Sequence, residues 1–319
     1  MSHRVVFHSG CFVPEREALI SIYDAALSGG AMVFEVCRTF NGHPFKLREH
    51  IERLFHSLAT LGIDPGYSQV KLESLASETL HRNVPTQRSD VDWNIIFNVS
   101  SGPGTAFREA FSEEELRATV IISCFPLTRR MASVAEAYQR GVDAVVPCQR
   151  ALPPEMIDPA VKIRGRLHYL LAANQANEIH PGAVAVLVNQ QGNLTESTNA
   201  NVFLVDVEGI LRTPRIKDVL PGVTRGTIID LAGELGIHVK ETDLTQEDAL
   251  RASEFLLTST SIGVLHARSF NGSPVGDGKL GPLGKQLRTA LNKLVGVDLA
   301  AQASSYAQHL AEGKTHGAT

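Results

Sequence analysis

A two-domain chain of mixed α and β structure, α/β (α+β) in class, is predicted by three observations. At 319 residues the chain exceeds one comfortable core, given roughly 150 residues per domain. Its first third reads as antiparallel strands followed by two apolar patterns of helical period. Its second half alternates short apolar strands with helices.

Taken in order, "RVVFHSGCFVP" and "MVFEVCRTFNGHPFKL" read as strands, and Asn41-Gly42 between apolar runs marks a hairpin because both residues tolerate positive φ. "REHIERLFHSLATLGI" spaces Ile51, Leu54, Phe55, Leu58 and Leu61 along one helical face, and "VKLESLASETLHRNV" repeats the pattern more weakly. Strands return at "WNIIFNVSSG" and "RATVIISCFPL", and the polar stretch "TRRMASVAEAYQR" leads to the strand "GVDAVVP". These set a small first domain over 1–125, a linker over 126–138 and a large second domain over 139–299. Within the second domain "AVAVLVN", "NVFLVDV", "GILRTP", "IHVKETDL" and "SEFLLTST" are expected strands, with helices from about Leu167, Val223 and Leu283. The tail, 300–319, has little to bury and is expected to fray.

A formal charge of -4 with interspersed signs gives no basic footprint for nucleic acid. Apolar runs such as "AVAVLV" fall far short of the ~20 residues that cross a bilayer, so no membrane span is expected. The opening "MSHRVVFHSG" lacks the apolar segment and cleavage site of a secretory signal. Cys11, Cys37, Cys124 and Cys148 are scattered, with no Cys-x-x-Cys and no closely spaced histidines, which points to reduced thiols and no metal site. The expectation is a cytoplasmic protein with a small-molecule partner.

Lys162 is the first candidate for chemistry. It follows "PAV" at an apparent strand end and precedes a helix whose Leu167, Leu170, Leu171 and Asn174 fall at helical spacing. That context would bury its stem and disfavour the charged amine, as a Schiff-base lysine requires. Taken alone, most lysines are simply solvated. Glu196, in "GNLTESTNANVFLV", reads by itself as a loop carboxylate after a glycine turn, and Asn199 as a turn residue. "LPGVTRGTIIDLA" is a proline-glycine turn entering a helix; Thr224 there is either a simple N-cap or, with Val223, part of a helix start that offers N–H groups to a phosphate. "LLTSTSIG" gives way to Ser259, Thr260 and Ser261, a polar turn or a second set of phosphate donors. Arg53 could form an ordinary exposed i,i+4 pair with Glu49.

In the order "FEVCRTFNGHPFKLREHIERL", "VKIRGRLHYLLAANQA", "LTESTNANVFLV", "LPGVTRGTIIDLA" and "EFLLTSTSIG", these blocks resemble the class IV (fold type IV) pyridoxal-phosphate enzymes, from about Phe12 to Gly276. That family comprises branched-chain and D-amino-acid aminotransferases, (R)-selective amine transaminases and aminodeoxychorismate lyase. The resemblance implies a small N-terminal α/β sandwich and a larger C-terminal α/β barrel-like domain, assembled as a homodimer. It implies that Lys162 forms the Schiff base with pyridoxal phosphate and moves the proton at the substrate's α-carbon. Glu196 would face the pyridine nitrogen, and Arg53, Val223, Thr224, Ser259 and Thr260 would contact the phosphate. Phe34 would be a pocket aromatic, with Arg166 and Ser261 further substrate contacts, and Asn201 would be structural.

The implied activity is amino transfer between an amino acid or amine and a 2-oxo acid, of the branched-chain aminotransferase type. Trp93-Asn94 stands roughly where branched-chain enzymes carry arginine-proline, and Leu167, flanked by Arg166 and Tyr169, is nearest the place of their post-lysine tyrosine. The arginine-x-histidine carboxylate trap of the D-amino-acid enzymes is unmatched after "SSGPG", where Arg108 is only loosely placed. An arginine four residues beyond the lysine also suits the lyase branch, which releases pyruvate. D-amino-acid and (R)-amine transamination remain alternatives.

Overall fold

The structure, a computed structural model, describes residues 4–315. They form two compact units: the chain up to Leu127 together with Val161–Gly165, and Thr128–Ala160 together with the chain from Arg166 onward.

The first unit contains β1 (Val5–His8), β2 (Cys11–Pro14), α1 (Ala25–Ser28), β3 (Met32–Phe40), β4 (His43–Pro44), α2 (Leu47–Thr60), α3 (Gln69–Asn83), β5 (Trp93–Ser100) and β6 (Thr119–Pro126). Its sheet runs β2-β1-β6-β5-β3-β4, with every pair antiparallel. Asn41 and Gly42 both take positive φ, 51° and 78°, and join Phe40 to His43 in the hairpin their chemistry requires. Ile51, Leu54 and Leu58 of α2 and Leu72, Leu75 and Leu80 of α3 pack on Trp93, Ile95 and Phe97 of β5 and on Ile122 of β6. Trp93 is therefore a core residue, and its neighbour Asn94 pairs with Arg38 in register while Phe34 pairs with Asn98.

The second unit contains α4 (Thr128–Ala132), α5 (Ala135–Arg140), β7 (Val142–Val145), α6 (Leu167–Ile179), β8 (Val184–Val188), β9 (Leu194–Ser197), β10 (Asn201–Val205), β11 (Leu211–Thr213), α7 (Val223–Glu234), β12 (Val239–Glu241), α8 (Gln246–Arg251), β13 (Glu254–Ser259), β14 (Gly263–Phe270), β15 (Ser273–Pro274), α9 (Pro282–Val295) and α10 (Leu299–Thr315). The sheet runs β12-β11-β10-β13-β14-β7-β8-β9, and a further pairing of β9 with β10 closes part of it into a ring. The closing register is Asn201 opposite Glu196. Inside lie Val186, Val202, Leu204, Phe255, Leu257 and Phe270. Glu254, 5 % exposed, accepts the N–H groups of Leu283 and Gly284, each at 2.8 Å, and so satisfies the N-terminus of α9.

Several expectations change. The stretch read as a polar linker holds α4 and α5, with Met131 and Tyr138 buried. The segment expected to fray is α10, where Leu299, Ala303 and Tyr306 are buried; residues 316–319 of the expected tail lie outside the described residues. Helix α6 buries Ala172 and Ala176 against β7 and β8, whereas Leu167, Leu170 and Leu171 are exposed. Small residues face the sheet because they allow close approach, so the apolar spacing was read onto the wrong face. Strand β14, over "GVLHARSF", was not among the expected strands: Gly263 to Ala267 are buried in succession, so no alternation of apolar and polar residues marks it.

Candidate active site

Lys162 lies on an extended segment fastened to the first unit. Phe34 N–H donates to the Lys162 carbonyl at 2.9 Å, and Arg164 N–H donates to the Met32 carbonyl at 2.8 Å. Val33 and Ile163 form the corresponding antiparallel bridge, and the Lys162 N–H donates to Ser57 Oγ of α2 at 3.0 Å. The stretch thus extends the β3 edge by backbone bonding, with Val161 sunk in the core. Period-two alternation then puts Lys162 and Arg164 on the face opposite Val161 and Ile163. The Lys162 Nζ stands 4.8 Å from the centroid of the Phe34 ring, and the Arg164 guanidinium 3.9 Å from it.

One turn of α2 before Ser57 is Arg53, whose carbonyl accepts from Ser57 Oγ at 3.1 Å. Arg53 is buried rather than exposed on the helix surface. Its Nε and Nη2 donate to the two carboxylate oxygens of Glu35, at 2.8 and 2.7 Å, and His50 Nδ1 lies 3.0 Å from Glu35 Oε1. All three side chains are buried. Burial raises the Glu35 carboxyl, but the Arg53 charge and the bonds from His50 and Arg53 hold it well below the usual carboxylate range. Burial also pushes the His50 imidazole down, against the pull of Glu35. The triad fixes Arg53 in one orientation beside the lysine segment.

In the second unit Glu196 stands on β9, not in a loop. Its Oε1 accepts from Tyr169 Oη at 2.6 Å, and its Oε2 accepts from Asn201 Nδ2 at 3.1 Å and from Leu220 N–H at 3.2 Å. Burial and the adjacent Glu196 charge push the Tyr169 phenol well above its ordinary range, so it remains a donor. Arg166 covers the Tyr169 ring at 4.2 Å and donates to the Thr198 carbonyl. Asn201 Nδ2 also bonds the Leu220 carbonyl at 3.0 Å, tying β10 to the turn before α7.

Thr224 is not the N-cap of α7. That position is Gly222, which makes no side-chain capping bond and leaves the first N–H groups, at Val223 and Thr224, for an external acceptor. Only glycine fits there: a Cβ on Gly222 would lie 2.0 Å from Asn201 Oδ1. Asn201 also pairs with Thr258 of β13, and Ser259 closes against Gly263, so the turn 259–261 ends the strand next to Asn201.

The first unit therefore gathers Lys162, Phe34 and Arg53, and the second gathers Glu196, Arg166, the start of α7 and the 259–261 turn. Glu35, His50, Ser57 and Tyr169 were not singled out from sequence. The signal available was the i,i+3 pairing of His50 with Arg53 and the i,i+7 repeat that carries it to Ser57.

A helix-covered antiparallel sheet followed by a strand ring, with a pinned lysine and a tethered glutamate, defines an enzyme of fold type IV. The model of the amino-transferase class IV family matches residues 32–270. The chain is 31 % identical to the branched-chain-amino-acid aminotransferase of Escherichia coli K12, over 89 % of this chain and 91 % of that one. It is 29 % identical to the D-alanine aminotransferase of Bacillus licheniformis, over 91 % and 96 %. The crystal structure of the Escherichia coli branched-chain enzyme superposes with a TM-score of 0.83 at 29 % identity, covering 92 % and 95 %. The Thermoproteus uzoniensis branched-chain aminotransferase, solved with norvaline, gives 0.79 at 28 % identity over the same shares. The chain belongs to the class IV aminotransferases.

Proposed function

We propose that this aminotransferase uses pyridoxal phosphate to move an amino group from a branched-chain amino acid to a 2-oxo acid. The carrying observation is Lys162, one amine on a segment held by two backbone bonds to β3 and one bond to the Ser57 hydroxyl of α2. The donor set fits the cofactor chemically: an amine for its carbonyl, an anion for its ring nitrogen, and for its phosphate a fixed guanidinium and an uncapped helix start behind an obligatory glycine. When bound, pyridoxal phosphate supplies an electron sink.

Lys162 carries the attachment and moves the proton at the substrate's α-carbon. Glu196, whose carboxylate accepts from Tyr169, Asn201 and the Leu220 N–H, would face the ring nitrogen and favour its protonated form. Arg53, the N–H groups of Val223 and Thr224, and Ser259 and Thr260 hold the phosphate. Phe34, Arg166 and Ser261 line the substrate side. The branched-chain assignment rests on the relatives' names. A homodimer is supported by the exposed Leu167, Leu170 and Leu171 face of α6. A cytoplasmic location is supported by four free cysteines, and no helix among the described residues is long and apolar enough to cross a membrane.

Protein loaded with pyridoxal phosphate is to be mixed separately with L-leucine, D-alanine and an (R)-amine, following loss of the visible band. Loss with L-leucine alone supports the proposal, and loss with D-alanine or the (R)-amine alone moves the chain to those branches. Pyruvate released from aminodeoxychorismate without an acceptor assigns the lyase. A Lys162→Ala variant that keeps the band removes Lys162 from its role.

A further inference from the structure

We infer that Tyr169 is a positioning residue that sets how strongly Glu196 can draw the proton of the cofactor's ring nitrogen. The inference rests on the proposed placing of Glu196 at that nitrogen. The tyrosine lies two residues beyond the start of α6, so the helix delivers its phenol to β9 from outside the strand ring. Its Oη donates to Glu196 Oε1 at 2.6 Å, shorter than the bonds from Asn201 at 3.1 Å and from the Leu220 N–H at 3.2 Å.

These donors divide the work. Asn201 and Leu220 N–H both serve Oε2 and belong to the strand and turn that build the unit, so they fix where the carboxylate stands. Tyr169 serves the other oxygen, Oε1, and a hydroxyl donor withdraws charge from the oxygen it binds. A carboxylate has room for several donors, so a ring N–H placed at Glu196 would share it with the phenol. Sharing weakens Glu196 as a base and leaves the proton on the ring nitrogen, where it favours electron withdrawal from the substrate. Arg166 completes the device. Its guanidinium covers the Tyr169 ring at 4.2 Å and is itself tied to the Thr198 carbonyl, so the phenol has little freedom to swing away.

The test uses holoenzyme carrying pyridoxal phosphate labelled with nitrogen-15 in its ring, whose chemical shift reports the proton's position. In Tyr169→Phe, which keeps the ring and its stacking, Glu196 becomes the stronger base and the resonance moves toward the unprotonated value. Alongside, kcat falls roughly ten-fold, the scale of one charge-assisted hydrogen bond, while KM for the 2-oxo acid stays within about two-fold. Fluorotyrosine at 169, a stronger donor, moves the resonance the opposite way. Glu196→Gln moves it furthest. An unchanged resonance in Tyr169→Phe and with fluorotyrosine, where Glu196→Gln shifts it, overturns the role of Tyr169 alone. A Glu196→Gln variant that leaves the resonance unmoved overturns the placing of Glu196 and this inference with it. Should Tyr169→Phe fail to fold, the fluorotyrosine shift decides.

Discussion

Both oxygens of the Glu35 carboxylate accept from Arg53, at 2.8 Å to Nε and 2.7 Å to Nη2, in a pocket where neither side chain is appreciably exposed. Removing one member leaves the other charge buried alone, which costs about 3–5 kcal/mol. Glu35→Gln should therefore lower stability by roughly that range in urea titrations and weaken cofactor retention during dialysis. The sign with pH follows from a carboxyl lower in the folded chain than its ordinary 4.5. Its contribution is present above about pH 4.5 and is lost as the pH falls through the acid range. The variant should show a flatter acid limb than the wild type.

Ser57 receives the Lys162 N–H at 3.0 Å and donates to the Arg53 carbonyl at 3.1 Å, which couples the lysine segment to α2. Ser57→Ala removes that acceptor at a cost of about 1 kcal/mol in stability. Misplacement of the amine should lower kcat by about ten-fold or more, since catalysis tolerates little error in geometry. Steady-state kinetics with thermal melting in parallel separates the two effects.

Gly222 has ordinary negative φ, so its requirement is spatial. Gly222→Ala drives a methyl into Asn201 Oδ1, displacing the side chain that holds both Glu196 and Leu220. The expected result is a cofactor dissociation constant raised about ten-fold or more, about 1.4 kcal/mol, by equilibrium dialysis. Gly226→Ala, where a Cβ meets nothing within 4 Å, serves as the control on the same helix.

His266 of β14 is 2 % exposed, and neither ring nitrogen has a hydrogen-bond partner among the described residues. Burial, with the nearby Arg288 charge, lowers its imidazole to about 4. The folded chain therefore resists a proton that the unfolded chain accepts near pH 6.5. Stability should fall as the pH drops from about 6.5 and level off below about 4, losing at most on the order of 3 kcal/mol. His266→Gln should abolish this part of the pH dependence in urea titrations at pH 7, 5.5 and 4.

The division between what the residues announced and what they concealed has a physical pattern. Asn41-Gly42 and the Ile51, Leu54, Leu58 face were legible because turn chemistry and helical period are local. The family was legible in five spaced blocks that include Lys162, Glu196 and the start of α7. What stayed hidden is what non-local pairing decides. Glu35 read as one polar residue in a strand, although Arg53 and His50 fold over it from the next helix. Glu196 read as a loop residue because β9 is four residues long and is placed by pairing with β8 on one side and with Asn201 of β10 on the other. Tyr169 was noticed only for standing near a missing tyrosine, since nothing in its own segment points to β9.

The fastening of Val161–Gly165 along β3 has a consequence for how the chain is made. During synthesis the strands and helices up to Leu127 emerge first, yet the outer edge of β3 at Met32 and Phe34 has no partner until residue 165 has followed. An open strand edge held waiting invites pairing with another nascent chain, and the closing contact spans more than a hundred residues, which slows its formation. A fragment ending at Leu127 should accordingly aggregate where one extended through Gly165 does not. Lys162 is delivered by the very segment that completes the first unit, so an incompletely folded chain cannot present it.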